Sequence, residues 1–343
     1  MKKLLNILYV TTPDVYLSLD GENVVLTKKE AELGRIPLHN LQGIIAFGYT
    51  GASPALMGAC PQRNISLSFL TMHGRFLARV VGETNGNVLL RKEQYRISED
   101  PELRLQYAKN FIKGKIYNTR WSIERTMRDY ALRLSMEPLE RASQFLKATL
   151  QNIQSCTTPE QLLGMEGEAA SVYFRIFDDM ILQQKEEFYF HGRNKRPPMD
   201  NVNAMLSFVY TLLAHDVSSA LEAVGLDSYV GFFHRDRPGR NSLALDLMEE
   251  LRSVYADRFV LSLINKQQIK ADGFTTRENG AVVMEPDTRK KILMQWQARK
   301  DEALTHPYLN EKITWGLVPH IQAQLLARSI RNDLDEYPPF LWK

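Results

Sequence analysis

Apolar and polar positions alternate with a period of two near the start of the chain and recur at three and four residues further on. Short β-type runs cover Asn6 to Thr11, Val15 to Leu19, Asn23 to Thr27, Gln42 to Ala46, Ile65 to Leu70 and Phe76 to Val81. Asp20-Gly21, between the second and third runs, marks a hairpin turn, and a short helix is predicted over Pro54 to Gln62. Gly74 and the stretch from Gly82 to Asn87 read as turn chemistry. After Ser98 and Pro101 the spacing predicts helices over Leu103 to Tyr117, Ser122 to Arg133 and Pro138 to Thr149, with more to follow. Asn279-Gly280 in FTTRENGAVVM predicts a β-hairpin inserted among those helices. The expected fold class is α+β, with a β-rich domain over residues 1–97 and a larger α-helical domain over 98–343.

Two helical stretches carry candidate chemistry. In GFFHRDRPGRNSLALDLMEELR a helix capped by Asn241 or Ser242 would line Leu243, Leu247, Met248, Leu251, Val254 and Tyr255 along one side. At about 100° per residue, Asp246, Glu249, Glu250 and Asp257 fall together on the other side. His234 stands just ahead of that helix. Carboxylates with one imidazole suit a hard divalent ion, whereas structural zinc favours thiolates. The same pattern is also what an ordinary solvated helix face shows. In TTPEQLLGMEGEAASVYFRIFDD, Thr158 caps, Pro159 takes the first helical position and Gln161 completes a capping box. Leu162, Glu166, Ala170, Tyr173 and Phe177 then recur at helical spacing, which puts Glu166 on the apolar stripe. A carboxylate there is paired, protonated or metal-bound, or it reaches water at the stripe's edge.

Basic residues gather in two places. Arg193, Lys195 and Arg196 precede Pro197-Pro198, and Arg235, Arg237 and Arg240 flank the acidic helix. Guanidinium groups around one pocket suit phosphate oxygens. Tyr189, Phe190, Phe232 and Phe233 lie beside these runs as stacking platforms or as core, and Phe232 and Phe233 read as core. Lys109, Lys113 and Lys115 read as a solvated helix face. His215-Asp216 lacks a second HD pair, no glycine-rich phosphate loop is present, and nothing points to a nucleophilic Ser or Cys triad.

Composition narrows the class without choosing the chemistry. The 343 residues carry a formal charge of +3, so any nucleic-acid footprint is local. With 44% hydrophobic and 24% charged residues the chain is an ordinary globular protein. Cys60 and Cys156, without CxxC spacing, argue against a zinc ribbon or disulfide scaffold and fit a reducing compartment. The N-terminal apolar run is cut short by threonines and Pro13, so neither a signal segment nor a membrane span is expected, and the location is taken as cytoplasmic.

The phrases LLGMEGEAASVYF, RNKRPPMDNVNAMLSFVYTLLAHDVSSALEAVGLDSYVGFFH and GRNSLALDLMEELR resemble the CRISPR-associated integrase of spacer acquisition, the universal Cas-one family. GNVLLRKEQYR and the closing QLLARSIRNDLDEYPPFLWK extend the resemblance over essentially the whole chain, the latter being similar to the subtype I-C branch. The resemblance implies an N-terminal β-sandwich followed by an all-helical catalytic domain. It implies metal ligation of Mg²⁺ or Mn²⁺ by Glu166, His234 and Glu249, where many relatives have Asp at the last position. Asp246 takes an accessory acidic position, shaping the site or engaging a terminal hydroxyl. The implied reaction is attack of a DNA 3′-hydroxyl on a phosphodiester at the edge of a CRISPR repeat. The implied partners are prespacer and repeat DNA, a second copy of the chain, a Cas-two dimer and a Cas-four nuclease, with no membrane. Two other readings are a metal-dependent repair nuclease using water, and a DNA-binding scaffold whose metal site is vestigial.

Overall fold

The computed structural model describes residues 6–29, 31–49, 51–72, 76–83 and 88–343. The turns expected at Gly74 and over Thr84 to Asn87 lie outside them. Seven strands and a helix come first: β1 (Asn6–Val10), β2 (Tyr16–Asp20), β3 (Asn23–Lys28), β4 (Ala31–Pro37), β5 (Leu41–Phe47), α1 (Pro54–Gln62), β6 (Ser66–Leu70) and β7 (Phe76–Val80). β2, β3 and β4 form an antiparallel meander, with the first turn at Gly21 in a left-handed conformation. β1, β5, β6 and β7 form a second sheet in which β5 runs parallel to both neighbours, so α1 serves as the crossover between β5 and β6. Leu17 and Val24 from one sheet, Ile44 and Leu67 from the other, and Leu56 from α1 share one buried cluster. This is the two-layer β arrangement expected. β4 was not legible in the sequence because AELGRIP is a mostly solvated edge strand held through its backbone, with no apolar alternation to read.

The chain then becomes helical: α2 (Val88–Glu99), α3 (Pro101–Tyr130), α4 (Met136–Asn152), α5 (Pro159–Arg175), α6 (Asn201–Ala223) and α7 (Ser242–Glu249). A π-helical segment over Arg252–Asp257 leads into α8 (Arg258–Asn265). The expected hairpin follows as β8 (Phe274–Thr276) and β9 (Val282–Met284), with Gly280 at φ 79° in its turn. α9 (Pro286–Asp301), the short pair β10 (Ala303–Thr305) and β11 (Lys312–Thr314), and α10 (Val318–Ile330) complete the order.

Two compact units result, Met1–Gly86 with Glu285–Glu302, and Asn87–Met284 with Ala303–Lys343. They differ from the expected 1–97 and 98–343 in two ways. α2 opens the helical unit at Val88, its buried Leu90, Gln94 and Ile97 being spaced at helical intervals. α9 belongs with the first unit, where it packs on β1. The two helices expected between Leu103 and Arg133 are one 30-residue helix, started by Asp100, which accepts from Glu102 N and Leu103 N. Its buried row continues through Asn118, Thr119 and Ser122 to Ile123, the three polar positions hiding the continuity. α6 is long and apolar enough to cross a membrane, yet most of it is buried among the other helices, as befits a central element.

Candidate active site

Four elements of the helical unit bring the candidate residues together. α5 starts where Thr158 accepts from Gln161 N, while Gln161 Oε1 accepts from Thr157 N, one residue earlier than an ideal capping box. Glu166, two turns in, lies on the side of α5 that buries Leu162, Ala169 and Tyr173. α3 passes beside it and delivers Lys115, whose Nζ forms an ion pair with Glu166 Oε1 and lies 2.7 Å from Glu249 Oε2. The side chains of Lys115, Glu166 and Glu249 are 14%, 17% and 3% exposed. Lys115 is therefore no solvated-face residue: it is the cation between a half-buried acid, Glu166, and a buried one, Glu249.

His234 is placed by Asp246. The Asp246 carboxylate accepts from the backbone N–H groups of Phe232 (2.6 Å), Phe233 (2.9 Å) and His234 (2.8 Å). Its Oδ1 also stands 2.7 Å from His234 Nδ1. An acceptor on Nδ1 puts the ring hydrogen there, so Nε2 presents its lone pair on the other side, 3.9 Å from Glu249 Oε1. Gly231 has to be glycine because a Cβ there would meet Asp246 Oδ2 at 2.9 Å and His234 O at 2.9 Å. Asp246 is fully buried with both oxygens engaged. This corrects one expectation: Asp246 shapes the His234 loop and has no free oxygen for a terminal hydroxyl.

Glu249, not Glu250, faces Glu166. Arg252 NH2 lies 3.1 Å from Glu249 Oε1. Burial alone would raise the Glu249 pKa, but the charges of Arg252 and Lys115 hold it down at about 2. Glu250, one residue on, points away and accepts from Tyr337 OH (2.6 Å), Phe340 N (2.7 Å) and Gln322 Nε2 (3.0 Å). Asp257 accepts from Tyr210 OH (2.6 Å) and Tyr173 OH (3.0 Å), at the wall of a cleft that Lys115 and Arg252 also line. The expected common acidic face does not exist as a surface, since all four acids are buried. The π-helical segment ends the α-helical phase after Glu249.

As placed, no three His, Cys, Asp or Glu side chains among the described residues are close enough to hold a metal ion. The Lys115 ammonium stands between Glu166 and Glu249. The donor set nonetheless fits a hard divalent ion, with two carboxylates converging on one cationic point and an imidazole Nε2 beside them. Glu249 Oε2 lacks a well-aligned hydrogen bond even though Lys115 Nζ is at ion-pair distance. Attraction between opposite charges at that distance survives poor alignment.

The basic residues separate into two groups. Arg193 is spent internally, donating to Asn194 O, Asn203 Oδ1 and Ser207 Oγ and lying over the Tyr210 ring at 5.3 Å. It is not a free phosphate contact, which corrects its place in the expected set. Lys195 and Arg196 are exposed. The Lys195 pKa is lowered by the partial burial of its ammonium end and then by the charges of Arg252, Arg193, Arg196 and Arg240, so these cations lie near one another. Arg237 is exposed, and Arg235 forms a solvated pair with Glu160 at 3.3 Å. Phe232 and Phe190 are core, Phe233 is half-buried and Tyr189 is 40% exposed. Lys115 and Arg252 were missed in the sequence. The available signal for Lys115 was its row, four residues after buried Phe111 and four before buried Thr119.

A mixed α+β chain whose two acids meet at one lysine, beside an oriented histidine and a basic cluster, carries the side-chain types that phosphodiester chemistry uses. The family model for "CRISPR associated protein Cas1" matches residues 8–298. A relative from Chlorobaculum tepidum called CRISPR-associated endonuclease Cas1 1 is 48% identical over 343 residues, covering all of both chains. The fold is shared with a casposase bound to integration product, at TM-score 0.83 and 24% identity, covering 100% of this chain and 95% of that one. It is shared too with a Cas6-RT-Cas1–Cas2 complex at TM-score 0.83 and 22% identity, covering 100% of this chain and 36% of that one. This chain belongs to the CRISPR-associated Cas1 family.

Proposed function

We propose that the chain is a metal-dependent DNA integrase and endonuclease that inserts DNA fragments as new spacers at CRISPR repeats. The observation that carries the reading is the convergence of Glu166 and Glu249 on one cation, with His234 Nε2 oriented by Asp246 beside them. Glu166, Glu249 and His234 Nε2 would hold Mg²⁺ or Mn²⁺, which when bound supplies Lewis-acid stabilisation of charge on the attacking or leaving oxygen. Asp246 keeps the His234 loop and ring in place before substrate arrives, so little reorganisation is required of the chain. Lys195, Arg196 and Arg240 would neutralise phosphates near the acids, with Arg235 and Arg237 further along the same loop.

The partners in this reading are prespacer fragments and repeat DNA, a second copy of the chain, a Cas2 dimer and a Cas4-type nuclease. The fold shared with a complex that contains Cas1 and Cas2 supports the Cas2 partnership. The test is strand transfer of a labelled fragment into repeat DNA with Mg²⁺ or Mn²⁺, using 3′-hydroxyl and 3′-dideoxy ends. Joining should require the hydroxyl, and His234→Ala should abolish it while leaving most DNA affinity. Cleavage without joining would favour the repair-nuclease reading; DNA binding without either reaction would favour the scaffold.

A further inference from the structure

The ammonium of Lys115 and a divalent ion cannot occupy the same place. Lys115 Nζ contacts Glu166 Oε1 and Glu249 Oε2 at once, from a side chain only 14% exposed. Among the described residues, Arg252 is paired with Glu249 and not with Glu166. An ion ligated by both carboxylates draws their oxygens to about 2.0–2.6 Å from itself, leaving no room for an ammonium at hydrogen-bond distance from each. Lys115 also has somewhere to go. It lines a partly open cleft together with Arg252, Tyr210 and Asp257, on the side of the site that also carries the Lys195 cluster.

We propose that Lys115 is a displaceable counter-cation: it holds Glu166 and Glu249 together in the metal-free protein and is released to the DNA phosphates when a divalent ion takes its place. This rests on the reading of Glu166 and Glu249 as metal ligands. Metal and lysine then compete for the same two carboxylates, and DNA assists the metal by giving the displaced ammonium an anionic partner. Without that lysine, two adjacent carboxylates have one positive charge fewer between them, and their affinity for a divalent cation rises.

The test is Mn²⁺ binding to the full-length protein, followed by the electron paramagnetic resonance signal of free Mn²⁺, for wild type, Lys115→Met, Lys115→Arg, Glu166→Gln and Glu249→Gln. Lys115→Met should tighten Mn²⁺ binding at least tenfold, whereas Lys115→Arg, which keeps the charge and adds reach, should not. In wild type the salt dependence of DNA binding should steepen when Mn²⁺ is added, by about 0.9 in log K per log salt for the one new phosphate contact. That measurement needs no variant to fold. Mn²⁺ binding abolished by Glu166→Gln and Glu249→Gln but unchanged or weakened by Lys115→Met would overturn the proposal while leaving the metal site standing. An unchanged wild-type salt slope would overturn the release to DNA. Equal Mn²⁺ binding in all five proteins would overturn the metal reading itself, and this inference with it.

Discussion

Glu250 offers the cleanest measurement of what this buried acidic helix costs the fold. Its carboxyl is fully buried, and burial pushes its pKa from an ordinary value near 4.5 up to about 8, against the opposing donors Tyr337, Phe340 and Gln322. A folded-state pKa above the unfolded one means that the folded protein prefers the protonated form. The associated stability is fully present below about pH 4.5 and is lost as pH rises through about 8. At about 1.4 kcal/mol per unit, the gap amounts to ~5 kcal/mol across that window. Glu250→Gln keeps the shape and the hydrogen-bonding capacity while removing the titration. Urea denaturation of wild type and variant from pH 5 to 9 should show the variant equal or slightly weaker at pH 5 and more stable by several kcal/mol at pH 9. The difference between the two proteins cancels other titrations, such as His306, whose pKa burial lowers to about 4. A constant difference at every pH would mean that Glu250 is ionised in the fold, with its three donors outweighing burial, and the reasoning would fail.

Asp246→Asn should cut strand transfer and Mn²⁺ affinity about 10–100-fold, the usual range for a group that orients a metal-binding imidazole, with the circular dichroism spectrum unchanged. Unaltered Mn²⁺ affinity would detach Asp246 from His234. Arg193→Ala should lower stability by about 1.5–3 kcal/mol because its partners inside the fold lose a charged donor, while the salt slope of DNA binding stays the same. Replacing Lys195, Arg196 and Arg240 together with Ala should do the reverse, reducing that slope by up to about three units of log K per log salt with little change in stability. Denaturation midpoints and salt titrations of the two variants, measured side by side, separate these outcomes.

What was legible in the sequence was what neighbouring residues decide among themselves. Thr158-Pro159 starts a helix because a side-chain oxygen and a preset φ act within one turn. Asp20-Gly21 and Asn279-Gly280 turn strands for equally local reasons. Glu166 could be placed on the buried stripe of α5 from spacing alone. Lys115 could not be assigned its role, since 51 residues separate it from Glu166 and only the packing of α3 on α5 brings the two together. Arg193 misled for the same reason: an arginine ahead of two prolines reads as exposed until Asn203, Ser207 and Tyr210 of α6 close around it. The choice of Glu249 over its neighbour came from the family resemblance, because two adjacent acids give periodicity nothing to separate them.

The four acids that begin at Asp246 show why such a helix defeats a surface reading. At about 100° per residue they form one polar face, and a polar face normally meets water. Here helices and loops close over every side, so each carboxylate needs its own remedy for burial. Asp246 receives three backbone N–H groups and an imidazole. Glu249 receives two cations. Glu250 is driven towards protonation, and Asp257, its pKa raised by burial to about 6, takes two tyrosine hydroxyls. Of these remedies only the one at Glu249 is exchangeable, because a cation can replace a cation without leaving a polar group unsatisfied. The hydrogen-bonded acids belong to the scaffold and hold the loop, the C-terminal segment and the tyrosines still. Chemistry is therefore expected at the acid neutralised by mobile charge, and Glu249, shared between Lys115 and Arg252, is that acid.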